Sequence, residues 1–102
     1  MKEIQELLQA DRIVHEPARL AILAILNTVD TADFKFVQAS LGLTQGNLSA
    51  HISKLESAGF VAVEKSFVGK RACTKLRISK EGQEALGREV AMMKGFLKLL
   101  EN

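Results

Sequence analysis

Cysteine is nearly absent. Cys73 stands alone among 102 residues, which excludes an internal disulfide framework and any cysteine-rich metal site. A lone thiol with no neighbouring base or second cysteine is a weak redox signal, so Cys73 reads as a small strand residue. No apolar run approaches the ~20 residues needed to span a bilayer, and no membrane partner is expected. Met1-Lys2-Glu3-Ile4-Gln5-Glu6 is acidic and lacks the apolar stretch of a signal peptide, which sets the expectation of a cytoplasmic protein. Also missing are a carboxylate pair, a nucleophile beside a base, a metal-ligand cluster and a phosphate-cradling glycine loop. Neither an enzyme nor a cofactor is expected.

The composition that remains, 47% hydrophobic and 25% charged, is that of an ordinary globular chain. Its length suits a single domain over residues 1–102 with a core that needs no staples. The net charge of +2 says little, but its distribution says more. Residues 44–80 hold seven cations against Glu56 and Glu64, a balance of +5, whereas the segments on either side are net negative. A basic stretch of this kind suits a phosphate-binding face.

That stretch contains the segment around which the chain is organised. In Leu43-Thr44-Gln45-Gly46-Asn47-Leu48-Ser49-Ala50-His51-Ile52-Ser53-Lys54-Leu55-Glu56, Leu48, Ile52 and Leu55 fall at i, i+4 and i+7, one stripe of an α-helix. Gly46, Asn47, Ser49, Ala50, Ser53 and Lys54 point away from it. A solvated helix face usually carries Glu and Lys. Small hydrogen-bonding side chains on a narrow helix are what the major groove of DNA admits.

Upstream, residues 1–12 predict an N-terminal helix with Ile4, Leu7 and Leu8 on one side, and Asp11 to His15 either continues it or connects onward. Glu16-Pro17 opens a second, nearly all-apolar helix running to Leu26, with Pro17 in the first turn and Glu16 at the positive end of the dipole. Asp33 or Thr31 can cap a third helix, which Gly42 stops, and Thr44 can cap the fourth. Residues 33–58 thus predict a helix-turn-helix. Residues 61–78 predict a hairpin, with strands at 61–65 and 74–78 and a long tip, Ser66 to Ala72, carrying Lys70 and Arg71. Ser79 then caps a final helix over 80–100 in which Leu86, Val90, Met93, Leu97 and Leu100 recur as a heptad seam, widened by Met92, Phe96 and Leu99.

The blocks His15-Glu16-Pro17-Ala18-Arg19-Leu20, Leu43 to His51, Lys54-Leu55-Glu56, Ala58-Gly59-Phe60, Gly69-Lys70-Arg71 and Leu76 to Gly82 occur in an order that resembles winged-helix transcriptional regulators of the MarR and ArsR type, in particular a compact prokaryotic and archaeal group. The likeness spans residues 12 to 88. It implies a mainly α fold with a small β-hairpin wing, a homodimer joined through its terminal helices, and regulation at promoters. Departures exist too. His15, His51 and Cys73 are too scattered for the metal sites of ArsR-type sensors, and the chain has little spare length for an effector pocket.

The expected partner is double-stranded DNA at a pseudo-palindromic operator; a winged-helix module that binds protein is the alternative. Gln45, Asn47 and Ser49 are candidate base readers, with Gly46 and Ala50 permitting close approach. Thr44, Gln45 and Asn47 have a second reading as turn and cap residues. Ser53 and Lys54 are phosphate candidates, as are Lys70 and Arg71 on the wing with Lys65, Lys75 and Arg77 beside them. Those wing cations are equally what a solvated hairpin edge carries. His51 is either a DNA ligand or a packed histidine. The dimer residues are expected to be Ile4, Leu7, Leu8, Leu86, Val90, Met93, Leu97 and Leu100.

Overall fold

The structure, a computed structural model, describes residues 1–101. In chain order these form α1 (Lys2–Leu8), α2 (Pro17–Leu26), β1 (Ala32–Asp33), α3 (Phe34–Leu41), α4 (Gln45–Ser57), β2 (Val61–Val68), β3 (Arg71–Ile78) and α5 (Lys80–Leu100). The strands make one antiparallel sheet in the order β1-β3-β2. Five helices and a small sheet are the mainly α architecture that the periodicities predict. No helix among the described residues is long and apolar enough to cross a membrane.

Packing centres on α2, α3 and α4 with the base of the sheet. Val14, Ile22, Leu23, Leu26, Val37, Leu48, Leu55 and Leu76 are fully enclosed. Each buried Leu or Ile contributes about 1.5–3 kcal/mol relative to an exposed one, which fixes the orientation of α4 from behind. At the far end of α4, Gly59 takes φ 79 and Phe60 N–H returns to the Leu55 carbonyl at 2.9 Å. Phe60 O in turn accepts from Ser79 N–H at 2.9 Å, and Ser79 Oγ both donates to Gly59 O at 2.5 Å and caps α5 through Gly82 N–H at 3.0 Å. One serine thereby ties the ends of α4, β3 and α5 together.

Several boundaries depart from expectation. The N-terminal helix stops at Leu8 rather than at residue 12, because Asp11 diverts the chain into a turn: its carboxylate accepts from Ile13 N–H at 2.8 Å and its carbonyl from His15 N–H at 2.7 Å. β1 went unforeseen, since two residues carry no readable alternation; it exists because Ala32 and Asp33 lie opposite Leu76 and Lys75. Asp33 begins α3 without a side-chain cap. The long hairpin tip is also corrected. Both strands continue outward through the pairs Ser66–Cys73, Phe67–Ala72 and Val68–Arg71, leaving only Gly69 and Lys70 as the turn. Gly69 supplies the positive φ of 66 that a two-residue hairpin turn requires.

The heptad seam divides. Leu86 is buried in the chain's own core and Val90 packs half-buried against it, so neither is free for a partner as expected. Beyond Met92 no residue of α5 is buried, and Met93 is half-exposed. Leu97 and Leu100 are 54% and 65% exposed. α1, which has no buried residue, packs alongside α5 and leaves Leu8 exposed, Ile4 partly exposed and Leu7 half-covered.

Candidate nucleic-acid interface

α3 and α4 are joined at Gly42 and Leu43. Gly42 takes the left-handed conformation (φ 65), and Leu43 N–H closes back on Gln38 O at 3.2 Å. Thr44 follows in an extended conformation, and its Oγ1 accepts from Asn47 N–H at 3.1 Å. The hydroxyl of Thr44 is thereby engaged as a cap. The side chains of Gln45 and Asn47 are not: like those of Ser49 and Ser53, they take part in no hydrogen bond among the described residues, and all are exposed together with Gly46, Ala50 and Lys54. The outward face of α4 therefore presents donors and acceptors that the fold leaves unpaired.

The wing borders this face, with its two sides differing. Val61, Val63, Lys65 and Phe67 alternate onto the side carrying Leu76 and Ile78, toward α4. Lys65 and Thr74 line a groove with Gln45, Ser49, Ser53 and Glu56. Arg71 lies at a second groove with Lys35, Gln45 and Asp33, at the N-terminal end of α4. Lys70 occupies the turn and is exposed. Lys75 is paired with Glu64 in register and, with Arg77, faces away from the α4 groove, so it is not brought to the candidate site. Lys35, which no motif in the sequence marks, lines this groove with Gln45 because β1 delivers the start of α3 there. Cys73 is half-buried, its Sγ 3.8 Å from Asp33 Oδ1.

Behind α4 lies a polar cluster that periodicity did not reveal. Glu16 is the N-cap of α2, accepting from Ala18 N–H at 2.8 Å and from Arg19 N–H at 3.1 Å. Burial pushes the Glu16 carboxyl up, but these two amides, with the nearby His51 ring and the Arg19 guanidinium, outweigh it and hold the pKa below its ordinary 4.5. Arg19, 8% exposed, donates from Nε to Ile13 O at 2.6 Å and from Nη2 to Arg12 O at 3.3 Å, and places Nη1 3.1 Å from His51 Nδ1 on α4. On the other side His15 Nδ1 meets the buried Glu89 of α5 at 2.6 Å. In the sequence this cluster shows only as a charged pair, Glu16 and Arg19 at i and i+3, at the start of an apolar helix.

A family model of the winged helix DNA-binding domain matches residues 18–97, most of the chain, including all of α3, α4 and the wing. The chain belongs to that family. This winged helix domain is 36% identical over 74 residues to an uncharacterized protein of Methanocaldococcus jannaschii, a match covering 72% of this chain and 80% of that one. Among solved structures it is similar to a transcriptional regulator homologue of Pyrococcus horikoshii OT3, with a TM-score of 0.89, 32% identity and full coverage of both chains. The transcriptional repressor CouR, solved with a 23-mer DNA duplex, shares the fold at a TM-score of 0.71 and 21% identity, over 80% of this chain and 57% of that one.

Proposed function

We propose that this winged helix domain is a transcriptional regulator that binds double-stranded DNA sequence-specifically as a homodimer. α4 enters the major groove and the wing lies on backbone and minor groove. The observation that carries the reading is the exposed, unbonded polar face of α4 beside Lys65 and Arg71, with Lys70 exposed at the wing's turn. Gln45 and Asn47 are the base readers, each able to pair bidentately with adenine. Lys54 and the wing cations hold phosphate, which positions the helix without specifying sequence. The DNA complex of CouR and the regulator homologue of Pyrococcus horikoshii support DNA as the partner and regulation as the role.

The whole chain acts as one domain in this reading, with residues 80–100 and the N-terminal helix supplying the dimer contact. Apolar residues of α1 and the end of α5 stay partly or largely exposed: Ile4, Leu8, Leu97 and Leu100. Two-fold pairing through them repeats α4 along the duplex, and groove geometry asks for a spacing of ~34–36 Å on a pseudo-palindromic site. Selection of bound sequences from a random DNA pool, with oligomeric mass measured alongside, tests the proposal. A palindromic consensus bound by a dimer supports it; a pool that stays random refutes sequence reading. In the same assay the double substitution Lys70→Ala, Arg71→Ala should weaken all sequences alike and reduce the salt slope by about two units. An unchanged slope removes the wing from the interface.

A further inference from the structure

His51 lies among the residues of α4 to which the base and phosphate assignments give no role. It follows Asn47 at i+4 and precedes Lys54 by three, so the three line one flank of the helix. Its ring is only a quarter exposed, and Arg19 reaches it from behind, Nη1 to Nδ1, at 3.1 Å. A guanidinium donates and never accepts. Nδ1 must then offer its lone pair, which makes the imidazole neutral and puts its one hydrogen on Nε2. Glu16 Oε2, 3.5 Å from the same Nδ1, would favour the opposite tautomer, but it is farther away and already accepts from Arg19 N–H. Arg19 cannot swing aside, because Ile13 O and Arg12 O hold its other nitrogens.

We infer that His51 is a further DNA-contacting residue, presented by Arg19 as a neutral imidazole whose outer Nε2–H donates to a phosphate oxygen. Nε2 has no acceptor among the described residues, and the flank it shares with Lys54 is exposed. Arg19 is a positioning residue: it selects the tautomer and touches no DNA. The contact rests on the DNA-binding reading above, and it makes a distinct prediction about electrostatics. A neutral donor releases no condensed counterion, so losing it weakens binding without altering the salt slope, whereas losing Lys54 lowers the slope.

Two measurements test it. Nitrogen-15 NMR of histidine-labelled free protein, at about pH 8 where an ordinary imidazole is neutral, should show Nδ1 of His51 unprotonated. An Nδ1–H tautomer or an imidazolium overturns the inference, independently of any DNA. In binding assays His51→Ala should cost about tenfold on consensus and random DNA alike, the size expected of a hydrogen bond to a charged acceptor. His51→Gln places an amide donor where Nε2–H stood and should stay within about twofold of wild type, while His51→Asn, which mimics the other tautomer, should lose as much as alanine. Equal behaviour of the two amides, or an unchanged alanine variant, overturns the contact even where the wing variant loses affinity. If wild-type protein binds no DNA, the functional reading itself fails and the NMR result stands alone.

Discussion

Arg19 illustrates how one side chain can connect layers of the fold. It sits in the first turn of α2, and its guanidinium serves both the loop before that helix and His51 on α4. Truncation would leave two backbone carbonyls and His51 without their donor in a partly buried site. Arg19→Ala should therefore destabilise the protein by about 2–4 kcal/mol, measured as a fall in the urea midpoint at constant m-value. A loss within error of zero would mean that the cluster is solvated in solution. Glu16 makes a pH prediction. Its folded pKa lies below the 4.5 of a free carboxyl, so its stabilising effect is complete above that value. It is lost as pH falls through the folded pKa, because the unfolded chain binds the proton first. Glu16→Gln should flatten the stability profile below about pH 4.5 and leave its shape at neutral pH unchanged; an equally steep acid limb would assign that limb to other carboxylates.

At the scale of elements, the local signals carry most of the information. Thr44 and Ser79 cap the helices they precede, Gly42 and Gly59 take the left-handed conformation that stops them, and the Leu48–Ile52–Leu55 stripe is buried as its spacing predicts. These features are legible because each depends on residues within one or two turns of itself. Gly82 was read as part of a helix start, yet its significance is tertiary. A Cβ there would run into the Phe60 carbonyl oxygen and press on Ile78 Cγ1. Gly82→Ala should cost about 1–3 kcal/mol by overpacking against backbone, even though alanine is the better helix former, and thermal unfolding would register it. A rise in melting temperature would show that the junction has room. The wing strands run longer than expected for the opposite reason: Ser66 to Val68 and Arg71 to Ala72 fall in the expected hairpin tip, and pairing across the two-residue turn makes them sheet.

For the whole molecule the question is what the end of α5 is for. The heptad spacing from Leu86 to Leu100 looked like one seam with one partner, but the domain's own core takes the first part. Substituting Leu97 and Leu100 together by serine removes exposed apolar surface only, so circular dichroism should be unchanged while sedimentation shows a monomer. Affinity for a two-site operator should then fall roughly hundredfold or more, since a dimer converts the second contact into an intramolecular one. A double variant that remains dimeric would place the interface elsewhere. Leu86→Ala should instead lower stability by about 2–5 kcal/mol, which separates the two halves of the seam by assay.

Sequence alone determined the order of the five helices and the hairpin, the caps Thr44 and Ser79, the glycine stops, the small polar outer face of α4 and the basic character of the wing. All of these arise from periodicity, backbone preference and charge between near neighbours. Tertiary structure alone decided three matters: that Ala32 and Asp33 join the sheet, that Leu86 turns inward while Leu97 and Leu100 remain uncovered, and that Arg19 meets His51 and His15 meets Glu89. Those pairs lie 32 and 74 residues apart, and no local pattern encodes the crossing of helices that brings them within hydrogen-bonding distance.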